Sequence, residues 1–424
     1  MRKHLTQSLH RLRYPNRYRQ LKTLLANQTL NRAQLLDLQQ RDYAAMLQFA
    51  TANVPYYRER LSTANGEIPI LRKEDVRNNL QDLLADNADP TTVKHGHTGG
   101  STGKPLTFWY DNAKHEAMRA GMMRGFMMSG WQPGDRILNF WGARHDAAKG
   151  GVFGSHWADW MNAEKTLIAT QFDAATLQAW ARFVQRYQPV LLYGYASAIS
   201  ELARFIVANQ LPMPRSLIGV YSTAEILTEP QRAIMQKAFN CKVYNQYGCR
   251  EVPNIAWECK LGNMHVFADL VRLESVRIEQ SDHLIVTSLT NRLMPFIRYD
   301  LGDTGVLMAG QECACGSPFP VMEMQMCRQN DWLRGHDDQR IHPGIFNRLL
   351  DGCHEIQQYQ WVQTQRHHLD LNLVTSAPLQ AEKIATISAK INAAMGGPVT
   401  LNLHYLTEIP RTAAGKHRYV IGID

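Results

Sequence analysis

The segment His97-Thr98-Gly99-Gly100-Ser101-Thr102-Gly103-Lys104-Pro105 decides how the rest of the chain is interpreted. Its glycines permit backbone conformations that a Cβ would block. Its hydroxyl groups and the Lys104 ammonium are donors suited to a polyphosphate that lies against exposed backbone N–H groups. A Walker loop is excluded, because Thr98 stands where that motif needs a glycine and Pro105 follows Lys104. The segment alone fits a flexible glycine-serine loop, whereas further motifs downstream favour a nucleotide-binding loop.

Length and composition limit the class of protein. The chain has 424 residues, of which 45% are hydrophobic, and it carries a net charge of +8. It is long enough for two or three domains, and its charge suits an anionic substrate such as ATP without specifying one. We predict no nucleic-acid partner, no membrane span and no signal peptide. The odd number of seven cysteines argues against a disulfide framework and favours a cytoplasmic location.

Residues 1–54 form a predicted helical segment that is strongly basic at its start. Residues 1–25 contain seven lysines and arginines, and the first acidic residue is Asp37. Leu5, Leu9 and Leu12 lie at helical spacing beside these cations. Two interpretations stay open. The segment is either a helix that contacts an anionic membrane or an acidic partner, or a solvated helix that packs on the protein through its leucines.

The middle of the chain alternates between short apolar strands and helices. We predict strands at 137–142, 189–193, 217–221 and 242–245, and helices at about 174–187, 197–209 and 229–238. This alternation implies a largely parallel sheet with helices on both faces. Residues 266–310 have the pattern of successive strands and turns, and the tail from about 331 has that of a small α+β unit.

Two motifs supply candidate ligand-binding residues. The first, Tyr244–Glu251, follows a predicted strand, and ligands in open α/β sheets bind outside the carboxyl ends of strands. There Tyr247 is suited to stack on a purine and Glu251 to bind Mg²⁺. The second, Phe296–Gly305, places Asp303 between glycines, where its carboxylate could accept both ribose hydroxyls or simply cap the turn.

Four soft ligands form a separate pattern. Cys259 and His265 are spaced C-x5-H, and Cys313 and Cys315 are spaced C-x-C beside Gly316. Thiolates and an imidazole make a tetrahedral set suited to zinc, and four protein ligands imply a structural site. Since the spacing differs from common zinc fingers, free buried thiols are the alternative. In the tail, Lys416 lies in a turn, where it is either a solvated cation or a mobile catalytic one.

Together these motifs resemble the acyl-adenylate-forming superfamily, and in particular its phenylacetate–CoA ligase-like branch of the type found in capsule-polysaccharide gene clusters. The resemblance runs from about Pro55 to the end of the chain. It implies an α/β fold with a large N-terminal domain of mostly parallel sheets flanked by helices plus a β-rich subdomain, and a small mobile α+β C-terminal domain. The implied divisions are 1–54, 55–328 (its β-rich part about 256–328) and 331–424.

The resemblance also implies roles for individual residues. Lys416, Glu251 and Thr98 would be catalytic, with Glu251 holding Mg²⁺. The residues that would bind ATP or AMP are Thr98, Gly99, Gly100, Ser101, Thr102, Gly103, Lys104, Tyr247, Gly248, Glu251, Asp303 and Arg328. The acyl pocket would be formed by Trp141, Tyr193, Tyr195, Ser222, Ala224 and Glu225, unless these residues belong to the core. The zinc set Cys259, His265, Cys313 and Cys315 matches what this branch carries.

Three departures from the family pattern affect the expected reaction. Gly99 replaces the usual serine of the phosphate loop, Asn330 replaces the acidic hinge residue, and the Arg-Gly-x-Asn segment that thioester-forming members place after the hinge is missing. Adenylation tolerates these changes more easily than transfer to coenzyme A does. The acceptor therefore stays open between CoA, a carrier-protein thiol, and an amine or hydroxyl.

Two functional hypotheses follow from the sequence. The first is an ATP-dependent ligase that converts a carboxylic acid, aryl or otherwise apolar, into an acyl-AMP with release of pyrophosphate and then transfers the acyl group to an acceptor. The second, motivated by the basic N-terminus and Asn330, is a catalytically reduced nucleotide-binding partner or scaffold in envelope polysaccharide biosynthesis.

Overall fold

The computed structural model describes residues 2–62, 68–97, 106–141, 163–169, 172–278, 281–308, 310–326, 333–337, 340–341, 346, 349–350, 353, 355–410 and 418–423. Five helices come first: α1 (Arg2–Arg13), α2 (Pro15–Asn27), α3 (Arg32–Asn53), α4 (Pro55–Ser62) and α5 (Lys73–Asn78). Helix α3 begins at a capping box in which Asn31 and Gln34 bond each other's backbone N–H. No helix within these described ranges is long and apolar enough to cross a membrane.

A hairpin and a long helix precede the central sheet. The hairpin pairs β1 (Lys94–His97) with β2 (Thr107–Tyr110), so the glycine-rich segment connects its two strands. Helix α6 (Asn112–Met127) follows directly, and the side chain of Asp111 accepts a hydrogen bond from the backbone N–H of Lys114. This cap fixes the first turn of α6 beside the hairpin.

One half of the central sheet is parallel. Its strands are β3 (Ile137–Trp141), β4 (Glu164–Ile168), β5 (Leu191–Tyr195), β6 (Gly219–Thr223) and β7 (Lys242–Tyr247), in the order β4-β3-β5-β6-β7. Helices α7 (Ala174–Tyr187), α8 (Ala196–Ala208) and α9 (Glu229–Phe239) cover one face, and α2 and α6 cover the other. Two buried cores therefore enclose this half of the sheet, as the alternation of helices and strands predicts.

The other half of the same sheet is antiparallel. Its strands are β8 (Ala256–Glu258), β9 (Met264–Val266), β10 (Val271–Ile278), β11 (Ser281–Ser288), β12 (Tyr299–Met308) and β13 (Val321–Met326). Next to β7 the order continues as β8-β9-β13-β12-β11-β10, giving one sheet of 11 strands. The β-rich region thus extends the parallel strands instead of forming a separate sheet.

The tail has its own sheet and core. Strands β14 (Leu333–Arg334) and β15 (Arg340–Ile341) form a short pair. Strands β16 (Ile356–Gln365), β17 (His368–Thr375), β18 (Thr400–Tyr405) and β19 (Val420–Ile421) form a second sheet in the order β18-β17-β16-β19, with helix α10 (Ala381–Met395) packed on it. Two hydrogen bonds join it to α8: Arg204 donates to the Gln357 carbonyl at 3.1 Å and Gln358 to Glu201 at 2.6 Å.

The orientation of α1 corrects one expectation from the sequence. The interpretation of α1 as a solvated helix that packs on the protein through its leucines is wrong, because Leu5 and Leu12 are 54% and 79% exposed. The residues of α1 that are buried are instead polar, namely Thr6 and His10. The neighbouring helix α2 does pack through apolar side chains, including Leu21 and Leu24.

Candidate functional site

The two motifs predicted to bind adenosine meet in the structure. The Tyr247 hydroxyl, at the end of β7, donates to Asp303 Oδ2 on β12 at 2.7 Å. Four strand spacings separate β7 from β12 in the sheet, which is about 19 Å in a flat sheet. A hydrogen bond across that span requires the antiparallel half to curl back over the end of β7. The curl brings residues 56 positions apart in sequence into one buried contact.

Glu251 contacts the same strand, β12. It is fully buried, and its Oε1 accepts a hydrogen bond from the Tyr299 hydroxyl at 3.0 Å. Tyr299 is on β12, four residues before Asp303 along the same strand. The strand therefore holds both acidic side chains, Asp303 directly and Glu251 through a hydroxyl. Asp303 itself belongs to this strand and not to a turn, and the neighbouring Gly302 has a positive φ of 72°.

Gly248 makes the connection after β7 possible. A Cβ at this position would lie 2.9 Å from the backbone nitrogen of Asn254, closer than real side chains approach. A glycine lets residues 248–254 fold back tightly, and the Cys249 N–H donates to the Val252 carbonyl at 3.1 Å. The tight loop is what points Glu251 inward toward β12.

Lys114 is a functional candidate that sequence reasoning missed. Lys114 is 3% exposed. Its ammonium donates to the Arg250 carbonyl at 3.1 Å and lies 4.7 Å from the centre of the Phe108 ring. Burial lowers the pKa of Lys114 to about 8, although the negative charges of Cys249 and Glu251 oppose that shift. In the sequence Lys114 lies in a predicted helix rich in methionines, and no sequence pattern there indicates that its side chain is buried.

Arg250 ties the same loop to the glycine-rich segment. Its guanidinium donates to the carbonyl of His97 at 3.0 Å, and His97 is the last residue of β1. The hairpin that carries the predicted phosphate loop therefore lies against the loop that carries Glu251. Residues Thr98, Gly99, Gly100, Ser101, Thr102, Gly103 and Lys104 themselves lie outside the described residues, as do Arg328 and Lys416.

The residues predicted for an acyl pocket lie at the carboxyl ends of the parallel strands. The Trp141 ring stacks on Tyr193 with centroids 6.2 Å apart and is 4.8 Å from the Tyr195 ring. Burial raises the pKa of Tyr193 to about 12, so this phenol stays neutral. Of the three rings, Trp141 and Tyr193 are half-buried and Tyr195 is buried. An apolar wall results at the end of β3 and β5.

The remaining acyl-pocket candidates follow β6. Ser222 is fully buried, and Ala224 has a positive φ of 64°. Glu225 is 6% exposed, and its Oε2 accepts the backbone N–H of Ser197 at 2.8 Å in the first turn of α8. A carboxylate at a helix N-terminus is stabilised by the helix dipole. Glu225 thus has a structural contact that the sequence did not suggest.

The four predicted zinc ligands converge. The ligand atoms of Cys259, His265, Cys313 and Cys315 all lie within 4.8 Å of one another. Cys259 Sγ is 3.8 Å from Cys313 Sγ, and Cys315 Sγ is 3.3 Å from His265 Nε2. Tetrahedral zinc with Zn–S bonds of about 2.3 Å separates two sulfurs by about 3.8 Å, so the spacing fits.

The surroundings of this cluster also suit a metal. His265 Nδ1 lies 2.9 Å from the Phe319 carbonyl, which directs Nε2 toward the cysteines. Burial disfavours the Cys313 thiolate, but hydrogen bonds from the Cys315 N–H and from neighbouring side chains outweigh it and lower the pKa of Cys313, whereas burial raises the pKa of Cys315, so the pair shares one favoured thiolate before a metal binds. A thiolate is the form that binds zinc.

Comparisons with known proteins agree with this architecture. Residues 333–422 match a family described as the CapK C-terminal domain. Protein CapK of Staphylococcus aureus is 24% identical over 91% of this chain and 89% of its own length. The phenylacetate-coenzyme A ligase of Thermus thermophilus is also 24% identical, over 72% of this chain and 73% of its own. These similarities support the resemblance of the chain to the phenylacetate–CoA ligase-like branch of the acyl-adenylate-forming superfamily.

A solved structure extends the comparison to the fold. The crystal structure of 2-hydroxyisobutyryl-CoA ligase in the postadenylation state, in complex with R3-HIB-AMP, is similar with a TM-score of 0.71 at 19% identity. The similarity covers 94% of this chain and 91% of that one. The mixed α/β fold expected from the phenylacetate–CoA ligase-like motifs is therefore confirmed.

Proposed function

We propose that the protein is an ATP-dependent carboxylate-activating ligase that forms an acyl-AMP and releases pyrophosphate. The observation that carries the proposal is that buried hydrogen bonds join the two separate motifs, Tyr247 to Asp303 and Glu251 to Tyr299, along β12. Similarity to phenylacetate-coenzyme A ligase and to 2-hydroxyisobutyryl-CoA ligase supports it.

A carboxylate and an aromatic ring bind the nucleoside part of ATP. Asp303 accepts the ribose hydroxyls, because an ionised carboxylate has two acceptor oxygens. Tyr247 contacts the adenine ring, and its hydrogen bond to Asp303 fixes both side chains in advance. Gly248 keeps the backbone close to the nucleotide, and Arg328 assists at the ribose.

Glu251 holds Mg²⁺, which neutralises phosphate charge when bound. Its carboxylate is a hard oxygen ligand of the kind that Mg²⁺ prefers, and the Tyr299 hydroxyl orients it. Lys114 acts as a positioning residue, because its hydrogen bond to the Arg250 carbonyl fixes the loop that carries Glu251. The triphosphate is held by Thr98, Gly99, Gly100, Ser101, Thr102, Gly103 and Lys104.

In the reaction a carboxylate oxygen of the acid attacks the α-phosphorus of ATP. A new O–P bond forms as the bond to the bridging oxygen breaks, and pyrophosphate leaves with that electron pair. Because two anions must meet, the main task of the protein is alignment and charge neutralisation. Lys416 supplies a cation at the attacking oxygen and the α-phosphate.

The acid binds near the rings of Trp141, Tyr193 and Tyr195, with Ser222, Ala224 and Glu225 behind them. These half-buried and buried rings suit an aryl or other apolar acid, because binding removes apolar surface of both the acid and the rings from water. Acyl transfer to CoA or to an amine or hydroxyl acceptor follows.

We further propose that residues 1–54, 55–328 and 331–424 are separate units, of which the last is mobile and delivers Lys416. The separate apolar core of the described part of the tail supports this division. The location is cytoplasmic, where ATP is available. Zinc binds Cys259, His265, Cys313 and Cys315 as a structural ion that joins β9 to the 313–315 turn.

The test of activation is ATP–pyrophosphate exchange with a panel of aryl, fatty and hydroxy acids. Exchange that depends on one class of acid, and that is lost in Glu251→Gln but kept in the matched surface variant Glu382→Gln, supports the proposal. Intact ATP binding without exchange for any acid contradicts it. That outcome favours the alternative, a catalytically reduced nucleotide-binding partner or scaffold in envelope polysaccharide biosynthesis.

The acceptor is identified in a second experiment. Once an activated acid is known, mass spectrometry of the products with CoA, with amines or with sugars separates a CoA ligase from an amide- or ester-forming ligase. If Lys416→Ala abolishes exchange but leaves function in the cell intact, the scaffold is the relevant activity.

A further inference from the structure

Helix α1 has its faces arranged in the opposite way from an ordinary surface helix. Amphipathic helices usually bury their apolar residues and expose their polar ones. In α1, Thr6 and His10 are buried at 4% and 8% exposure, whereas Leu5 and Leu12 are 54% and 79% exposed. Leu5 and Leu12 are seven residues apart and so lie on one face, with the half-buried Leu9 beside them.

Specific polar contacts hold α1 in this orientation. His10 Nδ1 lies 2.9 Å from the Tyr18 hydroxyl, and His10 Nε2 lies 3.2 Å from the guanidinium of Arg17. Arg17 in turn makes two hydrogen bonds of 3.0 Å to Glu116 on α6. Because the polar face of α1 is fixed to α2, which Arg17 in turn joins to α6, Leu5 and Leu12 are directed outward by the fold.

The exposed leucines lie in a strongly basic part of the chain. Residues 1–36 contain no aspartate or glutamate. Of the cations in this stretch, Arg17 is neutralised by Glu116. Those with exposed positions are Arg11, Arg13, Arg19 and Lys22. Leucines bordered by lysine and arginine match a surface in which acyl chains lie beneath anionic phosphates.

We propose that α1 docks the protein on an anionic phospholipid surface, with Leu5 and Leu12 entering the boundary between headgroups and acyl chains. Arg11, Arg13, Arg19 and Lys22 contact lipid phosphates, and each such cation near an anionic surface strengthens binding. Two leucines alone give weak partitioning, so docking depends on both the apolar and the charged contacts. This inference is independent of the proposed ligase activity, because none of these residues belongs to the nucleotide or acyl site.

The test is flotation of the full chain with phosphatidylcholine vesicles that do or do not contain phosphatidylglycerol. We expect binding only to the anionic vesicles and its loss at high salt, since salt screens exposed charges. Leu5→Ser with Leu12→Ser weakens binding about tenfold. The matched control Leu261→Ser, at another leucine that is 52% exposed, leaves binding unchanged.

Charge is tested by a second pair of variants. Arg11→Gln with Arg13→Gln lowers binding at low salt about tenfold, whereas Lys260→Gln with Lys390→Gln, at two exposed positions elsewhere, has no effect. Each variant is expected to keep the circular dichroism spectrum and the pyrophosphate exchange of the unmodified chain. Absence of binding to anionic vesicles, equal binding to neutral ones, or full binding after loss of both leucines overturns the proposal. Binding to an acidic protein in place of vesicles also overturns it.

Discussion

At the ends of the parallel strands β3 and β5 the candidate site residues are aromatic, whereas the antiparallel half contributes carboxylates, hydroxyls and thiols. Trp141 and Tyr193 stack at the ends of β3 and β5. Asp303 and Tyr299 reach the same region from β12 by hydrogen bonds to Tyr247 and Glu251. The two halves meet at the end of β7.

The difference separates two tasks. A hydrogen-bonded polar set recognises one fixed ligand, because each donor and acceptor must be matched. An aromatic wall accepts many apolar shapes and discriminates between them by size. We therefore assign the nucleotide to the antiparallel half together with the end of β7, and the choice of acid to the ends of the parallel strands β3 and β5. Variants in one half should leave the task of the other unaffected.

The largest effect is expected at the junction. Glu251→Gln keeps the size of the side chain and an oxygen that can accept from Tyr299, but it removes the charge that binds Mg²⁺. Exchange should fall about 10²- to 10³-fold with every acid, as for other lost electrostatic contacts in transition states. Steady-state exchange at saturating acid measures this. A loss confined to one acid would mean that the two halves are not separate.

The thiol cluster tests whether the antiparallel half depends on a metal. Cys313→Ser should remove one bound zinc per chain, measured by mass spectrometry of the metal, and lower the free energy of unfolding by about 4 kcal/mol. The control Cys241→Ser changes a cysteine outside the cluster and should keep the zinc. Equal metal content in both variants would contradict the assignment. The rank order of acids should be unchanged, because the cluster is not in the parallel half.

Lys114 makes the stability of the junction depend on pH. Its pKa is lowered from 10.5 to about 8 by burial, so between these values the unfolded chain binds a proton that the folded chain does not. Stability from this residue therefore rises with pH across that window, by at most about 3 kcal/mol. Urea denaturation at pH values from 8 to 10.5 should show a rise that is smaller in Lys114→Met than in the control Lys390→Met. Parallel profiles would show that folding does not lower the pKa of Lys114.

The smallest effect is expected in the parallel half. Trp141→Ala removes the ring that stacks on Tyr193 and should raise KM for the preferred acid about tenfold. The KM for ATP should stay unchanged, because no nucleotide contact is lost. Kinetics with each substrate varied in turn distinguish the two. Equal changes in the KM for the acid and the KM for ATP would show that Trp141 supports the structure of both binding regions.

Local features of the fold could be predicted from the sequence. The helix expected at 174–187 spans Ala174–Tyr187, where Asp173 caps its start and Gln188 ends it in the left-handed region. The strand expected at 189–193 lies at Leu191–Tyr195, two residues later, since apolar runs give strand boundaries poorly. The Cys and His residues were grouped from residue type, and the fold brings their ligand atoms together.

Long-range features could not be predicted. Nothing in the sequence of β12 reveals that the sheet curls until Asp303 touches Tyr247. Lys114 was missed because a lone lysine in a helix is usually solvated. In one of the two interpretations of the sequence the leucines of α1 face the protein, but the His10 and Arg17 contacts, which depend on Glu116 in another helix, turn Leu5 and Leu12 outward. Such tertiary contacts override local patterns.

A crystal structure with a non-hydrolysable ATP analogue tests the central claim most directly. The account predicts that both ribose hydroxyls lie within hydrogen-bond distance of Asp303, that the adenine ring contacts Tyr247, and that the metal at the phosphates is bound by Glu251. A nucleotide bound elsewhere, with the Tyr247–Asp303 hydrogen bond undisturbed and no ligand beside it, would contradict the account.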